Sequence, residues 1–310
     1  MVMANTFHAL VIIAAFPVYV VMIVFNAISG FEIDGLFNGG GQKNVSDKYY
    51  TDITPAGLTF AIWGVIFAWQ ALLLLYSLAS LCRKGADGPL YRSPVLLPPV
   101  FFIVYMVNNV FTTTWLFLWD REMMVAAFVI LALVASSLYI CIGISFRYLG
   151  KNMAFLDKYG MEKEKYWIWF GVQNGLAVYA TWTSLATMIN MAVVMEYVAG
   201  VSHVTSGTVA LSIILVGFLT WSVVELAFLD KYARYLFMPY VTVCWAVGGV
   251  VNAHWGVDWT PTYQNAVFTA VVLAISVALG VFKIAIMIFR HFRHPLTSSD
   301  DTVKMQSAIY

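Results

Sequence analysis

The side chains best suited to hold a ligand in this chain are indoles, phenyl rings, amides and hydroxyls that recur at helical spacing inside apolar runs. Phe60, Trp63, Phe67 and Gln70 follow one another at intervals of three and four within the charge-free stretch Pro55 to Leu75, so they share one helix face. Aromatics alone would only pack against neighbouring helices. The amide of Gln70 asks for more, because in hydrocarbon its donors and acceptor would go unpaired; it must face a partner helix or a cavity, and it turns the aromatic face inward with it. Asn108, Thr112, Trp115 and Trp119 form a second single-face stripe, and Tyr179, Trp182, Ala186 and Asn190 a third. Helical rise puts Trp63 about 12 Å in from Pro55 and Thr112 to Trp119 within about 10 Å of their own helix end. The three stripes therefore meet at similar depth, as a largely aromatic pocket with a few polar fixings requires.

Other reactive groups are sparse. Glu225 and Lys283 are the ionisable residues inside apolar runs, and each lies within reach of one end of its run, so snorkelling or mutual pairing competes with a transport or chromophore role. His254, with Asn252, Trp255 and Trp259, reads as an interfacial anchor or an axial contact to a planar ligand. His203 is a loop histidine with no neighbours in sequence that suggest a role. Cys82, Cys141 and Cys244 have no pairing or metal-ligand spacing, so neither a disulfide nor a metal is expected. No nucleophile stands near a base, and no carboxylate pair is at a usable spacing, which leaves no catalytic residues to nominate.

The elements that position these residues follow from composition. Of 310 residues, 61% are hydrophobic and 11% charged, against about 45–50% and 25% in soluble domains. The chain is an integral membrane protein. Its net charge of +1 excludes a dense nucleic-acid-binding surface. Apolar windows predict an all-α bundle of eight transmembrane helices at 8–29, 55–81, 95–119, 123–146, 167–195, 207–229, 235–253 and 262–289. This divides the chain into a five-helix core (1–195), a three-helix extension (196–290) and a tail (291–310). Lys and Arg number thirteen on the side of the termini and three (Lys43, Lys48, Arg121) on the other, which places both termini in the cytoplasm of a plasma membrane or endomembrane. Asn44-Val45-Ser46 then lies in the first outer loop, open to glycosylation. That loop, about residues 30–54 with its Gly39-Gly40-Gly41 run, reads as a mobile cover over the outer face. The first segment lacks a basic n-region and exceeds a typical h-region, so it reads as a span; were it cleaved, a seven-span, receptor-like topology would remain. Gly248 and Gly249 permit close helix packing, within the chain or in a homodimer.

Three motifs resemble the tryptophan-rich sensory protein and translocator protein family. Pro55 followed by Phe60-Ala61-Ile62-Trp63-Gly64-Val65-Ile66-Phe67 is similar to its aromatic second helix, with Trp63 and Phe67 on its Trp-x-x-x-Tyr/Phe step. Trp115-Leu116-Phe117-Leu118-Trp119 resembles the tryptophan-rich end of its third helix. Tyr179 through Trp182, Ala186 and Thr187 to Asn190 is similar to the fifth-helix pattern Tyr-x-x-Trp-x-x-x-Ala-Thr-x-x-Asn. The resemblance covers about 195 of the 310 residues, and the three further spans look like the larger branch of the family. It implies a five-helix bundle whose pocket, lined by Trp63, Trp182 and Ala186, accepts porphyrins, other tetrapyrroles, or sterol-like and drug-like ligands. Thr112 stands where the family usually has asparagine, which puts a hydroxyl in place of a paired amide donor and acceptor.

The expected function is therefore binding of a hydrophobic, planar aromatic molecule, a tetrapyrrole or sterol-like compound, for sensing, sequestration or transport, with no cofactor required. Trp63, Trp115 and Trp182 would stack on it, with Phe60, Phe67 and Tyr179 around them, and Asn108, Thr112 and Asn190 would orient it. The competing readings are a secondary transporter of a small solute, a seven-span receptor, and a retinal protein that would need Lys283 for its Schiff base.

Overall fold

The computed structural model describes residues 2–38, 41–255, 264–294 and 296, and they form an all-α membrane bundle. Its helices are α1 (Val2–Ile28), α2 (Gly41–Lys48), α3 (Ile62–Cys82), α4 (Pro99–Asp120), α5 (Met124–Lys158), α6 (Glu162–Tyr166), α7 (Asn174–Val193), α8 (His203–Phe228), α9 (Asp230–Ala233), α10 (Met238–His254) and α11 (Gln264–Arg293). A 3₁₀ turn, Gly57–Ala61, leads into α3, and π-helical stretches, Trp167–Gln173 and Val194–Val198, precede and follow α7.

Among the described residues, seven helical segments are long and apolar enough to cross a bilayer, with α6 to Val198 counted as one. They match seven of the eight expected spans. The other, expected at 235–253, is α10, whose 17 residues extend about 25 Å, short of a hydrocarbon core of roughly 30 Å. The start of α10 is fixed by packing: Asn174 Oδ1 on α7 accepts the N–H groups of Phe237 and Met238, each at 3.1 Å. A helix terminus buried in protein needs such partners for its orphan donors.

In the core, α1 lies against α3 and α4, α4 against α5, and α5 against α7. In the extension, α8 and α10 both pack on α7 and on α11. Helix α7 thus belongs to both halves, and its segment is the most buried of the seven, 61% against at most 44% elsewhere. Glycine makes two of the close approaches within the chain. A Cβ on Gly175 would come within 2.6 Å of the Trp69 ring, and one on Gly249 within 2.1 Å of Thr59 Oγ1. Gly249 therefore packs on the 3₁₀ turn of its own chain, where its carbonyl also accepts the N–H of Ala56 at 3.0 Å, whereas Gly248 faces open space.

Glu225 and Lys283 settle into a mutual pair, both almost fully buried, without snorkelling to an interface. Tyr240 donates to the second oxygen of Glu225 at 2.6 Å, and the Lys283 ammonium also donates to the Ala233 carbonyl at 3.0 Å. The network staples α8, α10 and α11 together. Removing one member of such a pair leaves a bare charge in a low-dielectric interior, whereas replacing both by apolar groups is close to neutral. Glu225→Leu or Lys283→Met alone should therefore destabilise the extension by about 3–5 kcal/mol, and the double substitution should recover most of the loss. Chemical-denaturation midpoints in detergent check this.

Candidate functional site

Trp63, near the start of α3, stands at the centre of the aromatic cluster. Its ring centroid is 5.4 Å from Phe67, 5.9 Å from Tyr179, 6.1 Å from Trp182 and 6.4 Å from Trp115. Phe60 meets Trp182 edge-on at 6.0 Å, and Trp119 stacks on Trp115 at 5.7 Å. These separations are those of favourable edge and offset pairs, each worth about 0.5–1.5 kcal/mol beyond burial. The rings from α3, α4 and α7 close on one another.

The polar fixings are mostly where helix periodicity puts them. Thr112 donates to the carbonyl of Asn108 at 3.0 Å, so its oxygen is free to accept the Tyr179 hydroxyl at 2.6 Å, which ties α4 to α7. Asn190 faces the Trp115 indole N–H at 3.4 Å and donates to the carbonyl of Ala186, the small residue one turn past Trp182. Gln70 is fully buried, and its amide donates to the Gly175 carbonyl at 2.7 Å. Asn108 departs from the expected arrangement: its amide donates to Val134 and Ser137 of α5, away from the cluster. Trp182 is 1% exposed, and its indole nitrogen has no hydrogen-bond partner among the described residues. A void of about 20 Å³ lies beside it, walled by Leu185 and by Ile214 of α8.

A profile described as TSPO-like protein matches residues 11–283. The chain belongs to that family. The match reaches into α11, so it takes in the three-helix extension as well as the core that the sequence motifs cover. No curated protein and no solved structure matches this TSPO-like chain.

The segment between α1 and α3 of the TSPO-like bundle, expected as a mobile loop, is tethered. Its hairpin pairs β1 (Glu32–Ile33) with β2 (Phe37–Asn38) antiparallel. Asn38 is held by Asp120, the Trp119 indole donates to the Gln42 carbonyl at 3.2 Å, and Tyr197 donates to the Tyr50 carbonyl at 2.7 Å. Gly39 and Gly40 lie outside the described residues. Asn44 is exposed on α2, although Ser46 of its sequon is buried.

The histidines also find settings that the sequence did not suggest. His203 sits between Asp52 and Glu196, at 2.7 and 2.8 Å, joining the pre-α3 loop to the end of α7 and the start of α8. His254 is fully buried against the Thr54 carbonyl at 3.1 Å and the Tyr50 ring at 5.4 Å, so it braces that same loop. Trp259 lies outside the described residues.

The adjoining face of α7 was missed. Thr181, Ser184, Leu185 and Met188 follow at helical spacing, centred about a third of a turn from Trp182, and they line a cavity of about 470 Å³ shared with α5, α8 and α10. The spacing was available in the sequence. Nothing in it told a lipid-facing stripe from one covered by later helices.

Lys48 and Tyr49 both hydrogen-bond Glu122, each at 2.7 Å to Oε2, and hold its carboxyl below the usual range. A depressed folded pKa means that the tether contributes fully above the ordinary carboxylate value of about 4.3 and is lost as pH falls through the depressed one. Limited proteolysis of the 41–50 segment should therefore rise modestly at acid pH, and Glu122→Gln should show the acid-level rate already at pH 7.

Proposed function

We propose that this chain binds a hydrophobic, planar aromatic molecule of the tetrapyrrole or sterol-like class in the five-helix core, for sensing, sequestration or movement across the membrane. The observation that carries the reading is the convergence of three tryptophans from three helices on one buried point, with one indole N–H left without a partner. An unpaired buried donor is costly, and a bound acceptor relieves that cost. A ligand replaces ring-on-ring contacts with ring-on-ligand contacts of the same kind, so the cluster can part for a flat aromatic molecule at little enthalpic expense. Trp63, Trp115 and Trp182 supply the stacking surfaces, and Thr112 and Asn190 the polar contacts. Asn108, whose amide is engaged on α5, acts by holding α4 in place.

The charge bias of the loops supports an orientation with both chain ends on the cytoplasmic side, which presumes that α10 is traversed as a short span. In that orientation the tethered cover and Asn44 lie outside, where Asn44 can carry a glycan, and ligand exchange requires the cover to lift.

Tryptophan fluorescence of the purified protein, titrated with protoporphyrin, heme, biliverdin and cholesterol, tests the proposal. Saturable quenching by a tetrapyrrole is expected, with affinity weakened about threefold to tenfold by Trp182→Phe and also reduced by Asn190→Ala. Absence of saturable change with all four compounds would overturn it.

A further inference from the structure

The 470 Å³ cavity on the other face of α7 has a chemistry of its own. Its size falls within the range of small-molecule sites, and its walls are almost entirely apolar, from Phe146 on α5 to Met188 on α7 and Val243 on α10. None of the residues around it is charged.

One polar group in its wall is both accessible and without a hydrogen-bond partner among the described residues. Hydroxyls in membrane helices ordinarily donate back to a carbonyl of the preceding turn, as Thr183, Ser184 and Thr187 of α7 do. Thr181 makes no such bond among the described residues, although it is 8% exposed. The Trp221 ring of α8 adds apolar wall, its indole N–H being buried behind the surface of the cavity. Beside them, Tyr139 and Ser184 satisfy each other at 3.0 Å. The wall therefore offers one accessible donor and no counter-charge.

The mouth opens between α5 and α8, where Tyr139, Gly143, Ile213 and Gly217 are exposed. Gly217 is about 21 Å along α8 from its start and Tyr139 about 22 Å along α5, which places the opening near the middle of a hydrocarbon core of roughly 30 Å. Phospholipid ester carbonyls stay at the interface, so an acyl chain entering here brings no acceptor to the Thr181 hydroxyl.

We infer that the seam between the five-helix core and the extension is a second binding site, taken from the bilayer by a neutral lipophile that carries one hydrogen-bond acceptor. Thr181 donates to that acceptor, and the apolar walls, the Trp221 ring among them, enclose the rest. The absence of charge selects against dianionic tetrapyrroles, so this site differs from the aromatic cluster in ligand chemistry, although Leu185 and Ile214 line both the cavity and the small void beside Trp182.

Two glycines make the test clean. A Cβ added at Gly143 or Gly217 meets nothing within 4 Å, so a side chain starts without a clash at either position, and leucine there should occupy the mouth and raise helix propensity. Benzophenone serves as the probe, a neutral lipophile with a single carbonyl that forms adducts on irradiation. The full-length protein in phosphatidylcholine nanodiscs should be labelled saturably on peptides from α7 and α8, with competition by unlabelled xanthone. Gly217→Leu and Gly143→Leu should cut that labelling at least tenfold while elution profile and tryptophan emission stay unchanged. Thr181→Val, which keeps the shape and removes the hydroxyl, should weaken half-saturation about fivefold. Labelling that is non-saturable, or equal in the filled variants, would mean that only bulk acyl chains occupy the seam and would overturn the inference. Tetrapyrrole quenching in Gly217→Leu reports on the aromatic cluster separately, so either site can fail without the other.

Discussion

Helix α7 has no face left for lipid, and its polar groups look to protein for their partners, which all but a few, Thr181 and the Trp182 indole among them, find among the described residues. Hydrocarbon supplies no hydrogen bonds, so a helix this polar is stable only in the middle of a bundle. Its partners are correspondingly exact in type: Asn174 caps α10, Gly175 accepts from Gln70 of α3, and Tyr179 reaches Thr112 of α4. These contacts set the rotation of α7. With that rotation fixed, the aromatic stripe points into the core, and the Thr181 stripe points at the extension.

The extension is what makes the second face usable. In a five-helix bundle alone, Thr181, Ser184 and Met188 would look outward to acyl chains. Helices α8 and α10 cover them incompletely, leaving a cavity where two closely fitted surfaces might have met. The pair Glu225–Lys283 holds the covering helices to one another at one end, and His203, between Asp52 and Glu196, joins α8 to the core near the other. A buried ion pair such as Glu225–Lys283 contributes little net stability, and its better attested use is to fix one arrangement among several apolar alternatives.

Much of the core was legible because its signals are local. Phe60, Trp63, Phe67 and Gln70 declare a face by spacing alone, and the amide decides that the face is inward. The all-α membrane class, seven of the eight expected spans and the mutual pairing of Glu225 and Lys283, one of several readings left open beside snorkelling and a transport or chromophore role, followed from composition and position. What was not legible depends on distant partners. Asn108 shares a face with Thr112, yet its amide donates to Ser137 and the Val134 carbonyl of α5, and no pattern within α4 reveals that. His203 looked idle because Asp52 is far away in sequence. The length of α10 was overestimated because its start is set by Asn174 on another helix. Regular spacing served well inside α7 but does not carry through Trp167–Gln173, where the π-helical turn takes in an extra residue and shifts the phase of the following side chains.

The neutrality of the seam is itself a consequence of the charged network. Glu225 lies four residues beyond Trp221 on α8, so the two share a helix face, and an unpaired carboxylate there would set a negative potential one turn from the Trp221 ring that walls the cavity. It would repel the acceptor that Thr181 is placed to receive. Lys283 and Tyr240 engage both oxygens of Glu225 and draw it toward α10 and α11. The pair thus holds the extension together and keeps its field away from the cavity, in a medium where an uncompensated charge would be felt over many ångströms. Structural and recognition roles meet in the same few side chains, because in hydrocarbon no charge near a site can be left to solvent.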